Sequence, residues 1–555
     1  MIRLKANFGF DSFLQKSILI YTLFIISLDS HSQVPNWAWA KSGNGNKYDY
    51  TNCMTKDNFG NIYITGVFDS TIISFGNINL TNSGRRNIFL VKYDQNGNII
   101  WAKSFGGNLI DDANGICSDS FGNVYLTGGF QSPSIAFGAT TLTRVSSQDM
   151  FIAKFDSNGN VIWAKSAGGN NFEAGNSVTS DSKGNAVVTG WFGSASIVFG
   201  GDTLYKIAGQ DIFVVKYDSK GNVKWAKSAG GIGNEMGLKV TNDSFGNFYM
   251  TGFFNSSTIS FNGITLNSFG GLDAYVAKYD SIGNILWAKN IVGTGDEYGL
   301  GIVNDVSGNV LLTGYFGSST ISFAGSNLNN SGGTDVFLVK YDSNGNEIWA
   351  NSIGGSGGES STSISRDFNG DFVLTGYFSS ASLSIGSVVL NNKGGKDIFV
   401  VKYDSLGTVL WAKSAGGSAD DIGNCAIIDK KGNIVLSGNY NSLTITFGNF
   451  LLSNLGSMDI FVAKLSNSLS FDESRRTNQI SIVPNPFMNS TLIRFSKPVD
   501  NADLLVYDIY GKIIEEKKIS GDSYVFQKES SVYGVFFIHV IDQKEIFPII
   551  KVISN

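Results

Sequence analysis

The sequence predicts an all-β chain, a seven-bladed β-propeller followed by a small C-terminal β-sandwich, and three observations carry this prediction. A Trp-Ala-Lys or Trp-Ala-Asn segment recurs at one unchanging interval, short β-branched and aromatic runs alternate with Gly-Asn turns, and the last repeat lacks a strand that the N-terminus can supply. A strict period indicates one supersecondary unit copied in tandem. The repeated tryptophans are Trp39, Trp101, Trp163, Trp225, Trp287, Trp349 and Trp411.

The composition suits a large β-protein and argues against a nucleic-acid partner. The chain has 555 residues, of which 42% are hydrophobic and 16% charged, and its formal net charge is −5. Nucleic-acid binding would require a basic cluster, and the sequence contains none. The three cysteines are too few for a disulfide framework, so we expect buried free thiols in preference to a bridge. Two of them, Cys53 and Cys425, stand at the same distance after their tryptophans, in blades that ring closure would make neighbours.

Residues 1–33 have the order of a secretory signal. Three basic residues precede an apolar run, Ser17–Leu28, and small residues follow it. Basic, apolar and small-residue segments in this order are typical of a cleaved signal peptide. The alternative is an N-terminal membrane anchor, but the run is short for a span that needs about 20 residues. We therefore predict a signal peptide over residues 1–33 and an exported mature chain without a transmembrane span.

Each repeat is predicted to form four antiparallel strands, which we name a to d in chain order. Short runs of β-branched and aromatic residues bounded by Gly-Asn turns are typical of strands linked by hairpins. Strand c is apolar on both faces, as in Ile212–Val215, so we expect it to be covered on both sides, as in sheets stacked around an axis. The four runs of the repeat that begins at Trp163 are 175–181, 186–192, 211–218 and 223–225.

The two ends of the repeat array predict ring closure. The Trp39 strand has no strand c before it, and the last strand c, at 459–464, has no tryptophan strand after it. We therefore predict that the N-terminal strand completes the last blade, which gives seven blades within residues 34–466. The alternative, an open solenoid, would need capping repeats that the sequence does not contain.

The lengths of the connections predict two unlike faces. The a–b and c–d turns are tight and would share one face, whereas the b–c and d–a connections are long and would share the other. Each b–c connection carries a small hairpin, clearest at 258–266, where Asn262-Gly263 favours a type I′ turn. Functional residues tend to lie on loops held by a rigid scaffold, so we predict a collar of hairpins and a binding surface on the long-loop face. The alternative is that the hairpins only widen the blades.

An acidic residue stands ten positions after every repeat tryptophan, where the chain would enter the innermost strand. Two interpretations stay open. The acids could form a ring that binds an ion or ligand at the channel mouth, and such a ring would suit Ca²⁺, which prefers oxygen ligands. They could instead cap loop N–H groups or pair with lysines of the Lys165 and Lys216 type, which their presence in every repeat favours. The acids are Asp49, Asp111, Glu173, Glu235, Glu297, Glu359 and Asp421.

No catalytic group stands out in the repeats. The two histidines, His31 and His539, both lie outside them. Ser-His-Asp catalysis, Cys-His catalysis and the usual zinc sites are therefore not expected there. A glycosidase would need one distinct pair of acids, and the repeat singles out none. We predict a non-enzymatic chain without a catalytic or metal-binding residue.

The C-terminal residues differ in composition from the repeats and resemble a known secretion signal. Residues 467–482 form a polar linker, and 483–555 hold more charge, little glycine and β-type alternation. The segments 483–487, 508–512, 533–538 and 551–553 resemble, in this order, the type A sorting domain of the type IX secretion system, although Val483 stands where Tyr is common. The motif residues are Pro484, Asn485, Pro486, Asp508, Gly511, Lys512, Gly534 and Lys551.

The resemblances imply a cellular location and a fold, and they imply no particular activity. The sorting domain implies the type IX secretion machinery and its sortase as partners, passage through the periplasm, and cleavage with release or attachment at the outer surface. The segment 119–128 is similar to the SBBP β-propeller repeat, a match that recurs over 34–466; that family name denotes seven blades and brings no single activity. We expect a monomeric binding or adhesion protein for a glycan or a protein; the alternatives are an exported polysaccharide-active enzyme and a structural surface component.

Overall fold

The computed structural model describes residues 34–323, 325–367, 369–466, 480–483, 487–508, 512–527, 534–541 and 550–554. The predicted signal peptide and most of the predicted linker lie outside these residues. The chain divides into two compact units, one up to Asn467 and one from Ser468. The described residues form β-strands and contain no helix. Accordingly, this part of the chain offers no helix with the length and hydropathy needed to cross a bilayer.

The first unit consists of repeated antiparallel sheets with the strand order a-b-c-d. We number the sheets 1 to 7 by their strands a. Strands a are Asp49–Lys56, Asp111–Ser118, Glu173–Ser180, Glu235–Asn242, Glu297–Asn304, Glu359–Arg366 and Asp421–Ile428. Strands b are Ile62–Phe68, Val124–Phe130, Ala186–Phe192, Phe248–Phe254, Val310–Phe316, Phe372–Phe378 and Ile434–Tyr440.

The outer half of each sheet follows a longer connection. Strands c are Asn87–Tyr93, Asp149–Phe155, Asp211–Tyr217, Asp273–Tyr279, Asp335–Tyr341, Asp397–Tyr403 and Asp459–Ser466. Strands d of sheets 1 to 6 are Ile99–Phe105, Val161–Ala167, Val223–Ala229, Ile285–Ile291, Glu347–Ile353 and Val409–Ala415. In these six sheets strand c is buried along its whole length, which confirms the prediction from its two-sided apolar pattern.

The fourth strand of sheet 7 comes from the N-terminus. This closing strand, Asn36–Asn44, pairs antiparallel with strand c of sheet 7, with Ala40 opposite Ala463 and Ser42 opposite Phe461. The predicted pairing of the Trp39 segment with the Phe461 segment is therefore confirmed.

Neighbouring sheets contact each other through strands a. Asn52 Nδ2 of sheet 1 donates to Ala113 O of sheet 2 over 2.8 Å. At the other end of the series, the side chain of Asn424 in sheet 7 donates to Thr51 O in sheet 1. The contacts thus return to the sheet from which they started. Four-stranded sheets joined in this way have the arrangement of a β-propeller.

The core is divided among the interfaces between sheets. One cluster joins Ile88 and Leu90 of sheet 1 with Leu126 and Phe151 of sheet 2, and all four side chains are fully buried. Burial of each such side chain contributes about 1.5–3 kcal/mol relative to its exposure to water. Every sheet therefore depends on its neighbour for stability.

The hairpin predicted in each b–c connection is present, but the predicted collar is wrong. Each hairpin packs against strand d of its own sheet, and most also contact strand d of the preceding sheet. Phe137 is fully buried between Phe105 of sheet 1 and Phe151 of sheet 2. The hairpins therefore fill the outer circumference and widen the sheets. They are Ile72–Phe75 with Ile78–Thr81, Ser134–Phe137 with Thr140–Thr143, Ser196–Phe199 with Asp202–Tyr205, Thr258–Phe261 with Ile264–Asn267, Thr320–Ser322 with Asn327–Asn329, Ser382–Ile385 with Val388–Asn391, and Thr444–Phe447 with Phe450–Ser453.

The second unit is a five-stranded antiparallel sheet with its own core. The long second strand pairs with the first, third and fourth, and its pairing with the third shifts register near Val499 and Ala502. The buried side chains include Ile493, Leu504 and Val552. The strands are Ile480–Val483, Ser490–Tyr507, Ile513–Gln527, Gly534–Ile541 and Ile550–Ser554.

Candidate functional site

The seven repeat acids are buried at the start of strand a, and each accepts a hydrogen bond from the serine that lies two residues beyond strand b. All seven carboxyls are 0% exposed. Ser70 Oγ donates to Asp49 Oδ2 over 2.6 Å, and Ser132 Oγ donates to Asp111 Oδ2 over 2.7 Å. The same bond joins Ser194 to Glu173, Ser256 to Glu235, Ser318 to Glu297, Ser380 to Glu359 and Ser442 to Asp421.

Backbone amides complete these caps. Gly107 N donates to Asp111 Oδ2 over 2.7 Å, so the acid closes the d–a loop that leads to it. The contacts are those expected of loop caps, whereas the alternative pairing with Lys216-type side chains is wrong: Lys216 Nζ lies 3.5 Å from Asp181 Oδ2 in the a–b turn. Within the described ranges, no group of three or more His, Cys, Asp and Glu side chains is arranged to hold a metal ion.

A second acid, missed in the sequence, lies beside most of these carboxyls. It is the aspartate that begins strand c of the preceding sheet. Burial, with a smaller contribution from repulsion between the two charges, raises the pKa of one carboxyl in each pair. We call these the carboxyl pairs. They are Asp459 with Asp49, Asp149 with Glu173, Asp211 with Glu235, Asp273 with Glu297, Asp335 with Glu359, and Asp397 with Asp421. Asn87 begins strand c of sheet 1, so Asp111 has no acidic partner of this kind.

Burial makes the carboxyl groups of the pairs weaker acids than exposed carboxyls. It raises the pKa of Asp49, Asp211, Glu297 and Asp397 to about 6 each. Two like charges in one buried site do not both ionise readily, so a pair tends to keep a proton. Because the pairs are shielded from solvent, they act on stability and present no surface to a ligand. The strand c aspartates whose Oδ1 accepts no hydrogen bond are Asp149, Asp211, Asp273, Asp335 and Asp397.

A second group missed in the sequence lies at the long-loop end of strands a and b in sheets 4 to 6. We call it the aromatic cluster: Phe253, Tyr298, Tyr315 and Tyr377. The residue after the Thr-Gly or Ser-Gly of strand b departs from the repeat. It is Val67, Gly129, Trp191, Phe253, Tyr315, Tyr377 and Asn439 in sheets 1 to 7. Comparison of the repeats at this one position would have revealed the cluster.

Three of the four rings of the aromatic cluster pack directly on one another. The ring centroids of Phe253 and Tyr298 are 4.7 Å apart, and Tyr298 stacks on Tyr315 with centroids 4.8 Å apart and planes at 23°. Burial and the charge of exposed Asp296 raise the pKa of both Tyr298 and Tyr315, so both remain neutral phenols at neutral pH. The three tyrosines are partly exposed, which leaves ring surface for a ligand.

A charged side chain contacts the aromatic cluster, and exposed apolar residues lie on the same face. Lys396 Nζ lies 4.3 Å from the centroid of the Tyr377 ring, a cation–π contact. Two loop residues of sheet 4 on the same face, Ile232 and Phe269, are 74% and 68% exposed. The exposed apolar loop residues continue along sheets 2 and 3; these are Val145, Phe172 and Ile207.

Two residues of the sorting motif, Asp508 and Lys512, close one turn through hydrogen bonds. Lys512 N donates to Asp508 Oδ1 over 2.9 Å, and Asp508 N donates to Lys512 O over 3.0 Å. Gly534 begins the fourth strand with φ at 129°, and Lys551 lies in the last strand opposite Phe537. Pro484, Asn485, Pro486 and Gly511 lie outside the described residues.

Comparison with known proteins places the repeat among β-propellers. No protein-family model matches the chain. The uncharacterized WD repeat-containing protein L264 of Acanthamoeba polyphaga mimivirus is 25% identical over 488 residues, which cover 73% of this chain and 35% of that protein. The regulatory protein FlaEY of Caulobacter vibrioides is 27% identical over 159 residues, covering 27% of this chain and 16% of that protein. The chain therefore spans about a third or less of the curated relatives it matches.

A solved WD40 domain gives a distant structural similarity. The Pan2 WD40 domain of Neurospora crassa is 10% identical, with a TM-score of 0.37 over 76% of this chain and 90% of that chain. The WD-repeat relative and the four-stranded sheets described above agree on one fold. This chain is a β-propeller repeat protein. In a β-propeller the innermost strands surround a central channel, and the aromatic cluster lies at the long-loop ends of strands a and b.

Proposed function

We propose that this chain is an exported, non-enzymatic, seven-bladed β-propeller protein that binds a protein partner at the channel mouth of its long-loop face. The observation that carries the proposal is the departure of the aromatic cluster from the repeat. Sheets 1, 2 and 7 hold Val67, Gly129 and Asn439 at the same strand position, so the fold itself does not require the rings. Aromatic residues that a scaffold does not need are typical of a binding surface.

The chemistry of the cluster favours a protein over a glycan. Tyrosine rings bury a large area, lose little conformational entropy and retain a hydroxyl for hydrogen bonding, which is why they dominate protein-binding hot spots. Asp296 and Lys396 supply opposite charges at the rim of the cluster. Exposed Ile232 and Phe269 add apolar side chains on the same face, which suits a protein partner better than a single sugar ring.

Binding of the full-length chain to arrays of bacterial surface proteins and of glycans tests this proposal. We expect a protein ligand whose affinity falls at least about tenfold in Tyr315→Ala and in Tyr377→Ala, as for a hot-spot residue. Phe121→Ala is the matched control, because Phe121 is 67% exposed in a tight a–b turn, and it should bind normally. A ligand found only among the glycans would reassign the site to carbohydrate, and binding that survives both tyrosine changes would reject the site.

We propose further that the seven repeat acids are loop caps and not ligands of an ion. The bonds from serine hydroxyls and loop amides to the buried carboxylates support this interpretation. The melting temperature should then be the same with Ca²⁺ and with a chelator. A rise with Ca²⁺ that is lost in Glu235→Gln would restore the ion-ring interpretation.

We also propose that the second unit is a small β-sandwich that serves as the export signal. The sequence resemblance and the basic-apolar order of residues 1–33 support export to the cell surface or medium. Deletion of residues 483–555 in the native cell should leave the protein in the periplasm, as cell fractionation would measure. Normal surface exposure of the deleted protein would contradict the proposal.

A further inference from the structure

Two thiols meet where sheet 7 contacts sheet 1. Cys53 lies in strand a of sheet 1 and Cys425 in strand a of sheet 7, at the same position of the repeat. Both side chains pack in the same hydrophobic cluster, and Cys425 Sγ lies 3.8 Å from the backbone oxygen of Met54, the residue after Cys53. A disulfide joins cysteines whose side chains face each other at short range, with an S–S bond of about 2.05 Å.

The surroundings prepare one thiol of the pair for reaction. The hydrogen bond from the Cys425 thiol lowers the pKa of Cys53 against the opposing effect of burial, and the positive charge of Lys239 in sheet 4 lowers it further. The thiolate is the nucleophile in disulfide exchange. In contrast, burial raises the pKa of Cys117, which takes no part in this pair.

The one junction of the ring that is closed without a covalent link lies within sheet 7, between strand c and the closing strand, and the closing strand leads directly into the strand that holds Cys53. Strands c and d of sheets 1 to 6 are joined by tight turns, whereas the closing strand is held to strand c of sheet 7 only by pairing. A bridge between Cys53 and Cys425 would tie together the first and the last strand a of the array. Cross-links over long segments remove the most entropy from the unfolded chain.

We propose that Cys53 and Cys425 form a disulfide that locks the ring when the chain meets a disulfide oxidant. The Cys53 thiolate attacks one sulfur of the oxidant, which releases one oxidant thiolate and leaves a mixed disulfide on Cys53. Cys425 then loses its proton and attacks the Cys53 sulfur, and the second oxidant thiolate leaves. Two cysteine thiols are oxidised and one oxidant disulfide is reduced to two thiols.

Incubation of the full-length protein with oxidised glutathione, followed by peptide mass mapping without reductant, tests the proposal. We expect a peptide that links Cys53 to Cys425, free Cys117, and a melting temperature higher by about 5 °C than in reduced glutathione. Cys117→Ser should retain this gain, and Cys53→Ser should lose it. Free Cys53 and Cys425 after oxidation, or a link that involves Cys117, would overturn the proposal.

Two further variants keep the test decisive. Lys239→Gln should slow formation of the bond severalfold at neutral pH and leave the oxidised product unchanged, because it removes charge but no sulfur. If Cys53→Ser does not fold, Cys425→Ala serves in its place, and it too should show no thermal gain with oxidised glutathione. A gain in Cys425→Ala would exclude the bridge as its cause.

Discussion

In each sheet of the first unit, one serine hydroxyl donates a hydrogen bond to a buried carboxyl. Ser194 donates to Glu173, and the same contact recurs in every sheet of the first unit. The acid was visible in the sequence because its spacing never changes. Its partners were not, because Ser194 lies beyond the next strand and the acidic neighbour, Asp149, belongs to the preceding sheet. Only the pairing of strands and the stacking of sheets bring such groups together.

Removal of one capping hydroxyl should destabilise the chain measurably. We expect Ser194→Ala to lower the free energy of unfolding by about 1–3 kcal/mol, because Glu173 then remains buried with one donor fewer. Urea unfolding measures the change. Ser182→Ala is the control, since Ser182 is exposed in an a–b turn, and it should have no effect. Equal losses in the two variants would contradict the cap.

The carboxyl pairs should make the chain more stable in mild acid. Burial raises the pKa of Asp49, Asp211 and Asp397 from 3.8 to about 6. The folded chain therefore binds more protons than the unfolded chain between these values, and stability falls as pH rises through that window. Turn aspartates such as Asp156 have a lowered pKa and stay ionised throughout, so they do not offset the effect. We expect a higher melting temperature at about pH 5 than at about pH 7.5; the reverse order would contradict the pairs.

Replacement of one member of a pair by its amide isolates the effect. Asp211→Asn should raise the free energy of unfolding at neutral pH by about 1–3 kcal/mol and reduce the pH dependence, because a neutral amide needs no proton. Asn87 occupies the equivalent position in sheet 1, so the fold accepts the amide. Asp218→Asn in an exposed c–d turn is the control and should not stabilise. A destabilised Asp211→Asn variant would argue against a shared proton.

At the scale of strands and hairpins, the local sequence pattern predicted which elements form better than it predicted where they pack. Gly-Asn turns marked the a–b and c–d hairpins, and a small hairpin was predicted in each b–c connection. Its strands have one apolar face, as in Ser134–Phe137. What that face packs against depends on strand d of another sheet, which lies in the preceding repeat. The predicted collar was wrong for this reason: Phe137 reaches Phe105 across the sheet boundary.

The hairpin of sheet 2 should behave as part of the core. We expect Phe137→Ala to lower the free energy of unfolding by about 3–5 kcal/mol, the usual cost of removing a fully buried phenylalanine ring. Thr141→Ala changes an exposed residue of the same hairpin and should cost little. Chemical denaturation of both variants measures the difference. A small effect of Phe137→Ala would mean that the hairpin is an accessory to the fold.

At the scale of the whole molecule, the sequence predicted the closure of the ring because each end of the array lacks what the other holds. It predicted a binding surface on the long-loop face but did not predict the aromatic cluster. An aromatic residue after Thr-Gly looks like core in any single repeat, and only its absence at Val67, Gly129 and Asn439 separates it from packing. The stacking of Tyr298 on Tyr315 then depends on the register of strands a and b.

If closure rests on strand pairing alone, the position of the termini should not matter. A circular permutant of residues 34–466 can start in the loop at Asn108 and join Leu465 to Trp37 through an Asp-Ser-Asn-Gly-Asn turn like those of the other sheets. We expect the same β-type circular dichroism and a melting temperature within about 5 °C of the parent, since contacts are kept. Failure of this permutant to fold would show that the open junction is required.

The closing strand also determines when the ring can finish folding. Gly45, just beyond that strand, donates its amide to Asp459, which is synthesised 414 residues later. Until the ribosome has made that distant segment, the first strand has an unpaired edge that can stick to other chains. Folding therefore ends with one late step, the pairing of the closing strand with strand c of sheet 7. A chaperone that covers the unpaired edge until then would raise the yield of folded protein.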